Sequence, residues 1–103
     1  MSEHVERYRL ACRAWVDKQK AADLLEDTSK IVFQEIASGI EASSEAAKNR
    51  LATISADWKD HMAKTTQAKH EAREARMAVK IREMEFSAWQ SENANARNER
   101  RQY

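Results

Sequence analysis

Between Ala47 and Trp89 the chain reads AKNRLATISADWKDHMAKTTQAKHEAREARMAVKIREMEFSAW. Within it, alternating steps of three and four residues run through Ala47, Leu51, Ile54, Trp58, His61, Thr65, Ala68, Ala72, Ala75, Val79, Arg82, Phe86 and Trp89. Most of these are apolar or small, and the spacing keeps them on one side of an α-helix. Such a stripe is the seam along which a second helix packs. Neither Gly nor Pro interrupts it, and the whole 103-residue chain has one Gly and no Pro. The stretch predicts a long helix and an all-α fold.

Upstream, a second helical pattern runs through Val5, Tyr8, Cys12, Trp15, Gln19, Ala22, Leu25, Ser29, Val32, Phe33 and Ile36. Ser2 is placed to cap it, and Glu3 and Glu6 suit the positive end of a helix dipole. Two successive three-residue steps, Gln19 to Ala22 to Leu25, shift the phase of the stripe and would allow a bend within Glu26–Ser29, although one continuous helix is the simpler reading. Gly39 suits a left-handed residue closing this helix, and Ser43 or Ser44 with Glu45 suits the start of the next. The prediction is one domain, 1–103, with a helix over about 3–37, a turn over about 38–43, a helix over about 44–96 and a frayed tail over 97–103. A short connection makes it an antiparallel helical hairpin, coiled-coil-like, with a long protruding second helix.

Composition agrees with this class and narrows the rest. Charged residues make up 34% of the chain, whereas a sheet protein would need turn residues and many β-branched side chains. The net charge of +1 exerts no general pull toward nucleic acid or anionic membrane. Residues 64–103, with nine basic and six acidic side chains, are mildly basic. Cys12 is the sole cysteine and has no partner for an intramolecular disulfide. The start Met-Ser-Glu-His-Val lacks the basic and apolar regions of a signal peptide, and no apolar run approaches a membrane span. A cytoplasmic location is expected, with no membrane partner.

Folding the chain about Gly39 and Ile40 sets Tyr8, Cys12 and Trp15 against Ala72, Ala68 and Thr65. Ala22 then faces Trp58, Leu25 faces Ile54, and Val32 and Phe33 face Ala47. Large residues meet small ones, as a filled interface needs. In this register the first helix runs out opposite Ala75 and leaves Met77, Val79, Ile81, Met84, Phe86, Ala88 and Trp89 uncovered. Val79, Phe86 and Trp89 continue the seam, while Met77, Ile81, Met84 and Ala88 form a second stripe on another side. Burying a large apolar side chain contributes about 1.5–3 kcal/mol. Residues 77–92 are therefore expected to form a homo-oligomer interface or to dock a partner protein.

Other candidate groups have plainer readings. Asp57 and His61 share a face at metal-ligand spacing, yet structural zinc needs four ligands and no further Cys or His lies within reach. A polar layer of His61 and Thr65 that sets register between the helices is the better reading. His70 and Glu74 form an outer solvated pair, and Cys12 is a small core residue. Gly-rich phosphate loops and the G-x-S-x-G and H-E-x-x-H patterns are absent. No catalytic residue, metal, cofactor or small-molecule substrate is expected. Lys64, Lys69, Arg73, Arg76, Lys80, Arg97, Arg100 and Arg101 are candidate nucleic-acid contacts, with Phe86, Trp89 and Tyr103 available to stack on bases. Glu71, Glu74, Glu83 and Glu85 neutralise much of that charge, which favours a solvated mixed face.

The segment Ala78-Val79-Lys80-Ile81-Arg82-Glu83-Met84-Glu85-Phe86-Ser87-Ala88-Trp89-Gln90, followed by Asn93-Ala94-Asn95-Ala96-Arg97, resembles the C-terminal end of small helical proteins of bacteriophages and prophages. Their genes often lie beside a single-strand annealing recombinase and an exonuclease. The resemblance implies an accessory role in phage DNA recombination or replication, in the host cytoplasm, and brings no catalytic residues. Secreted helical hairpins with Trp-x-Gly at the turn are a poorer comparison, since Ser38-Gly39-Ile40 lacks the Trp. The expected function is a non-catalytic, self-associating interaction protein. The alternatives are a direct DNA-binding module and a helical inhibitor of a host enzyme.

Overall fold

A computed structural model describes residues 3–102; Ser2 with its expected cap, the side chain of Arg101, and Tyr103 lie outside the described residues. The chain forms α1 (Glu3–Asp27), α2 (Ser29–Ser38), α3 (Glu45–Ile54) and α4 (Ala56–Gln102), and the described residues contain no strand. Helix α1 runs antiparallel along α4, and α2 lies against α3 at the closed end. The result is the expected all-α hairpin, drawn out to 87 × 18 × 15 Å.

Each arm carries one interruption. At Thr28 the backbone bonds continue, from Thr28 N–H to the Leu24 carbonyl at 3.1 Å and from Val32 N–H to the Thr28 carbonyl at 3.0 Å. The hydroxyls of Thr28 and Ser29 donate to the carbonyls of Leu24 and Leu25 at 2.7 and 2.8 Å. Hydroxyl back-bonding of this kind bends a helix without ending it. The first arm is thus interrupted within the segment where the stripe changes phase.

The second arm departs further from expectation, because Ser55 divides it. Its backbone is extended, with ψ 150°. The Ser55 N–H and hydroxyl both donate to the Ala52 carbonyl, at 3.1 and 2.7 Å, and its Oγ accepts the Trp58 N–H at 3.2 Å. One residue therefore closes α3 and caps α4, with Asp57 in the first turn of the new helix. Ser44 caps α3 by accepting the Ala47 N–H at 3.2 Å. The reversal of the chain is not a short turn but the segment Gly39–Ser44 together with α3.

Two smaller expectations are also corrected. Gly39 is right-handed, with φ −83° and ψ −4°, and no described residue has a left-handed backbone. Helix α2 closes instead through the N–H groups of Gly39 and Ile40 on the carbonyls of Ile36 and Ala37. The tail expected to fray at 97 is helical through Gln102.

The longer reversal moves the register. Tyr8 faces Phe86 at 6.4 Å between ring centroids, not Ala72, and Phe33 meets Trp58 at 5.0 Å, not Ala47. His4 lies 5.9 Å from Trp89. The second arm has slid by roughly two heptads, which keeps the same stripe facing α1. Buried are Ala22, Ala37, Ala52, Ala68, Ala72 and Val79; in α3 it is Ala52 that turns inward, while Leu51 and Ile54, expected on the seam, are 43% and 64% exposed, because the break at Ser55 turns α3 out of phase with α4. Ala22, with Leu25 against it, packs on Ala68 and Ala72 rather than on Trp58. Small side chains bring the helix axes close, and the large ones sit half-buried along the edges.

Candidate association surface

The slid register separates the two apolar stripes of α4. Val79 is 8% exposed, and Phe86 and Trp89 are half-buried against Tyr8 and His4 of the same chain. These three belong to the hairpin's own interior, so the expectation that they lack a partner within the chain is corrected. On the far side of α4, Met77, Ile81 and Met84 remain 58%, 53% and 72% exposed, and Ala88 is exposed beside them. Roughly half a helical turn separates the two stripes, because residues advance about 100° per position. The helix is covered by α1 on one face and uncovered on the opposite one.

The protrusion is also shorter and more polar than expected. His4 pairs with Trp89, so α4 outruns α1 only from about residue 91. That end carries Ser91, Glu92, Asn95, Arg97, Asn98 and Arg100, all exposed.

The basic residues do not converge on a single track. Lys64 pairs with Asp60 at 3.0 Å, Lys69 with Glu26 at 3.3 Å, and the Arg76 guanidinium lies 5.8 Å above the Trp15 ring. Arg73, Lys80, Arg97 and Arg100 are exposed and make no ion pair among the described residues. Lys18 and Glu71 add an exposed cross-helix contact at 3.6 Å, and pairs of this kind contribute about 0–1 kcal/mol.

A polar layer crosses the hairpin where three helices meet. His61 and Thr65 are buried, and His61 Nε2 lies 2.8 Å from Ser29 Oγ. The Thr65 hydroxyl donates to the His61 carbonyl at 2.9 Å. Trp58 stacks on His61 at 5.4 Å and meets Phe33 in a T-shaped contact at 5.0 Å. His61 is thus committed to Ser29 across the seam, and the described residues contain no group of three or more His, Cys, Asp or Glu arranged to hold a metal ion. His70 and Glu74 pair at 3.0 Å on the outside.

Cys12 sits beside Tyr8, and Ala68, expected opposite it, packs on Ala22 instead. Through its charge and a shared hydrogen bond, with a smaller contribution from Glu83, Cys12 raises the Tyr8 phenol above its usual value.

No family model, curated protein or solved structure matches the chain. No helix among the described residues is long and apolar enough to cross a membrane. On the outer face of α4 three adjacent large apolar side chains stand in water, in addition to Leu10, Leu24 and Ile31 on the first arm and Ile54 on α3.

Proposed function

We propose that this chain is a non-catalytic helical interaction protein that self-associates through the outer face of α4. The observation that carries this reading is the exposure of Met77, Ile81 and Met84 on the side of α4 turned away from α1. Each contributes about 1.5–3 kcal/mol when covered, against the entropy lost on association. The thin interior adds to the case: no large side chain is completely buried among the described residues, and small cores gain stability by assembling. The likeness of residues 78–97 to phage-encoded helical proteins would place such an assembly in a host cytoplasm, beside DNA recombination or replication.

Sedimentation equilibrium of the full chain tests the reading. The expected mass is a multiple of the 11.9 kDa chain, falling to one chain in Ile81→Asp with helix content unchanged. Val79→Ala, by contrast, is expected to lower thermal stability, since Val79 faces inward. A wild-type protein that stays monomeric at hundreds of micromolar defeats the proposal.

A second reading, direct binding of nucleic acid, is favoured by one observation: Arg97 and Arg100 are exposed on the projecting end of α4 and make no ion pair among the described residues. Affinity for single- or double-stranded DNA that falls steeply with salt, and is lost in Arg97→Ala/Arg100→Ala, would support it.

A further inference from the structure

We infer that the second copy docks in the parallel sense, α4 against α4, so that Lys80 of each copy meets Glu85 of the other. The inference rests on the self-association proposed above and adds its direction and its symmetry.

The argument comes from the charges beside the outer stripe. Helix α4 is unbroken from Ala56 to Gln102, so its edges follow from the helical step of roughly 100° per residue. Directly along one edge of Met77, Ile81 and Met84 fall Arg73 and Lys80, with Lys69 and Arg76, which reach Glu26 and Trp15 of α1, and Glu83 in the row behind them. Along the other fall Glu71, Glu85 and Glu92, while Glu74, seven residues before Ile81, lies in line with the stripe itself. The borders of the apolar face are sorted by sign.

Sorted borders distinguish the two ways of joining identical faces. A two-fold axis parallel to the helices lays the basic edge of each copy on the acidic edge of the other. A two-fold axis across the helices lays basic on basic and acidic on acidic, which is unfavourable. Only the parallel arrangement is self-complementary.

Heptad positions make the contact specific. Ile81 and Ala88 take the a positions of the outer stripe, and Met77 and Met84 take the d positions. Lys80 is then a g residue and Glu85 the following e residue, the pair that forms ion pairs between parallel helices. Lys80 makes no ion pair within its own chain among the described residues, and Arg82 holds the Glu85 carboxylate at 2.9 Å beside the stripe. Asn95 occupies the next a position, on the stretch of α4 that outruns α1. Glu74, held by His70 at 3.0 Å, takes the a position before Ile81, and a polar a residue such as Asn95 pairs with its own copy and sets register.

Three measurements on the full chain test this. In sedimentation equilibrium, Lys80→Glu and Glu85→Lys are each expected to weaken self-association roughly tenfold, because two attractive contacts become repulsive, and the double swap is expected to restore it. In a Cys12→Ala background, spin labels at Asn98→Cys are expected within about 25 Å of each other in the parallel dimer, against about 45 Å or more in an antiparallel one. Ile81→Asp separates the two levels of the claim. A dimer that dissociates in Ile81→Asp, ignores both single charge swaps and shows the long label distance overturns the parallel direction and leaves self-association standing. A monomeric wild type, or a dimer that Ile81→Asp does not disturb, overturns both.

Discussion

The hydroxyl oxygen of Ser29 and Nε2 of His61 lie 2.8 Å apart and join the interruption of one arm to the early turns of the other. Ser29 directs its own proton to the Leu25 carbonyl at 2.8 Å, so His61 is the donor between them. Replacing Ser29 by Ala leaves a buried ring N–H without an acceptor. Urea denaturation of Ser29→Ala is expected to show a loss of about 1–3 kcal/mol. An unchanged midpoint would remove this contact from the account of what holds the arms together.

Ser55 is expected to behave as a cap. Ser55→Ala should cost about 1 kcal/mol and Ser55→Gly only a few tenths, since Gly tolerates the capping backbone. Amide exchange offers the sharper reading, because Trp58 N–H loses its acceptor in Ser55→Ala. Protection at Trp58 that survives the substitution would mean that α3 and α4 do not depend on the serine for their separation.

Gly39 is not required for its conformational freedom. A Cβ there would meet only the carbonyl oxygens of Ile36 at 3.6 Å and Glu35 at 3.9 Å, ordinary contacts. Gly39→Ala is therefore expected to raise stability by about 0.4–1 kcal/mol, because the unfolded chain loses freedom. A thermal midpoint below wild type would indicate a left-handed residue at this position in solution.

Stability should fall in strong alkali through Tyr8. Its phenol is raised above the ordinary value by the charge of Cys12, by their shared hydrogen bond and by Glu83. The folded protein thus holds that proton more tightly than the unfolded chain does. The resulting stabilisation is complete below the ordinary phenol value near 10 and is lost as pH rises through the raised one. Thermal midpoints measured from pH 9 to 12 are expected to drop more steeply for wild type than for Tyr8→Phe. Parallel curves would show that Tyr8 titrates alike in both states.

The helices and their pairing were legible in the sequence, but the register was not, for a reason built into the pattern. A heptad stripe repeats every seven residues, so sliding α4 by two heptads returns the same face to α1. The match of Tyr8 to Ala72 carried little information, because Ala68, Ala72 and Ala75 offer small partners to many registers. Register was left to the length of the reversal, and that depended on Ser55. A capping signal was present in Ser55 followed by Asp57, yet Ile54 and Trp58 keep the four-residue step across it and hide the break. The outer stripe of Met77, Ile81 and Met84 lies off the seam and is exposed in either register. Val79, Phe86 and Trp89 lie on the seam, so their fate changed with the slide.

A rod 87 Å long and 15 to 18 Å across has no interior that its two ends share. Parting His4 from Trp89 removes nothing from the corner where Phe33, Trp58 and His61 meet, so the free energy of opening accumulates along the axis in the manner of a linear array. Heating such a molecule unzips it from the open end toward the closed one. Its last protected amides should be those of the polar layer and the alanine seam beside it, and a tether between the N-terminal end of α1 and residue 90 would delay every later step at once.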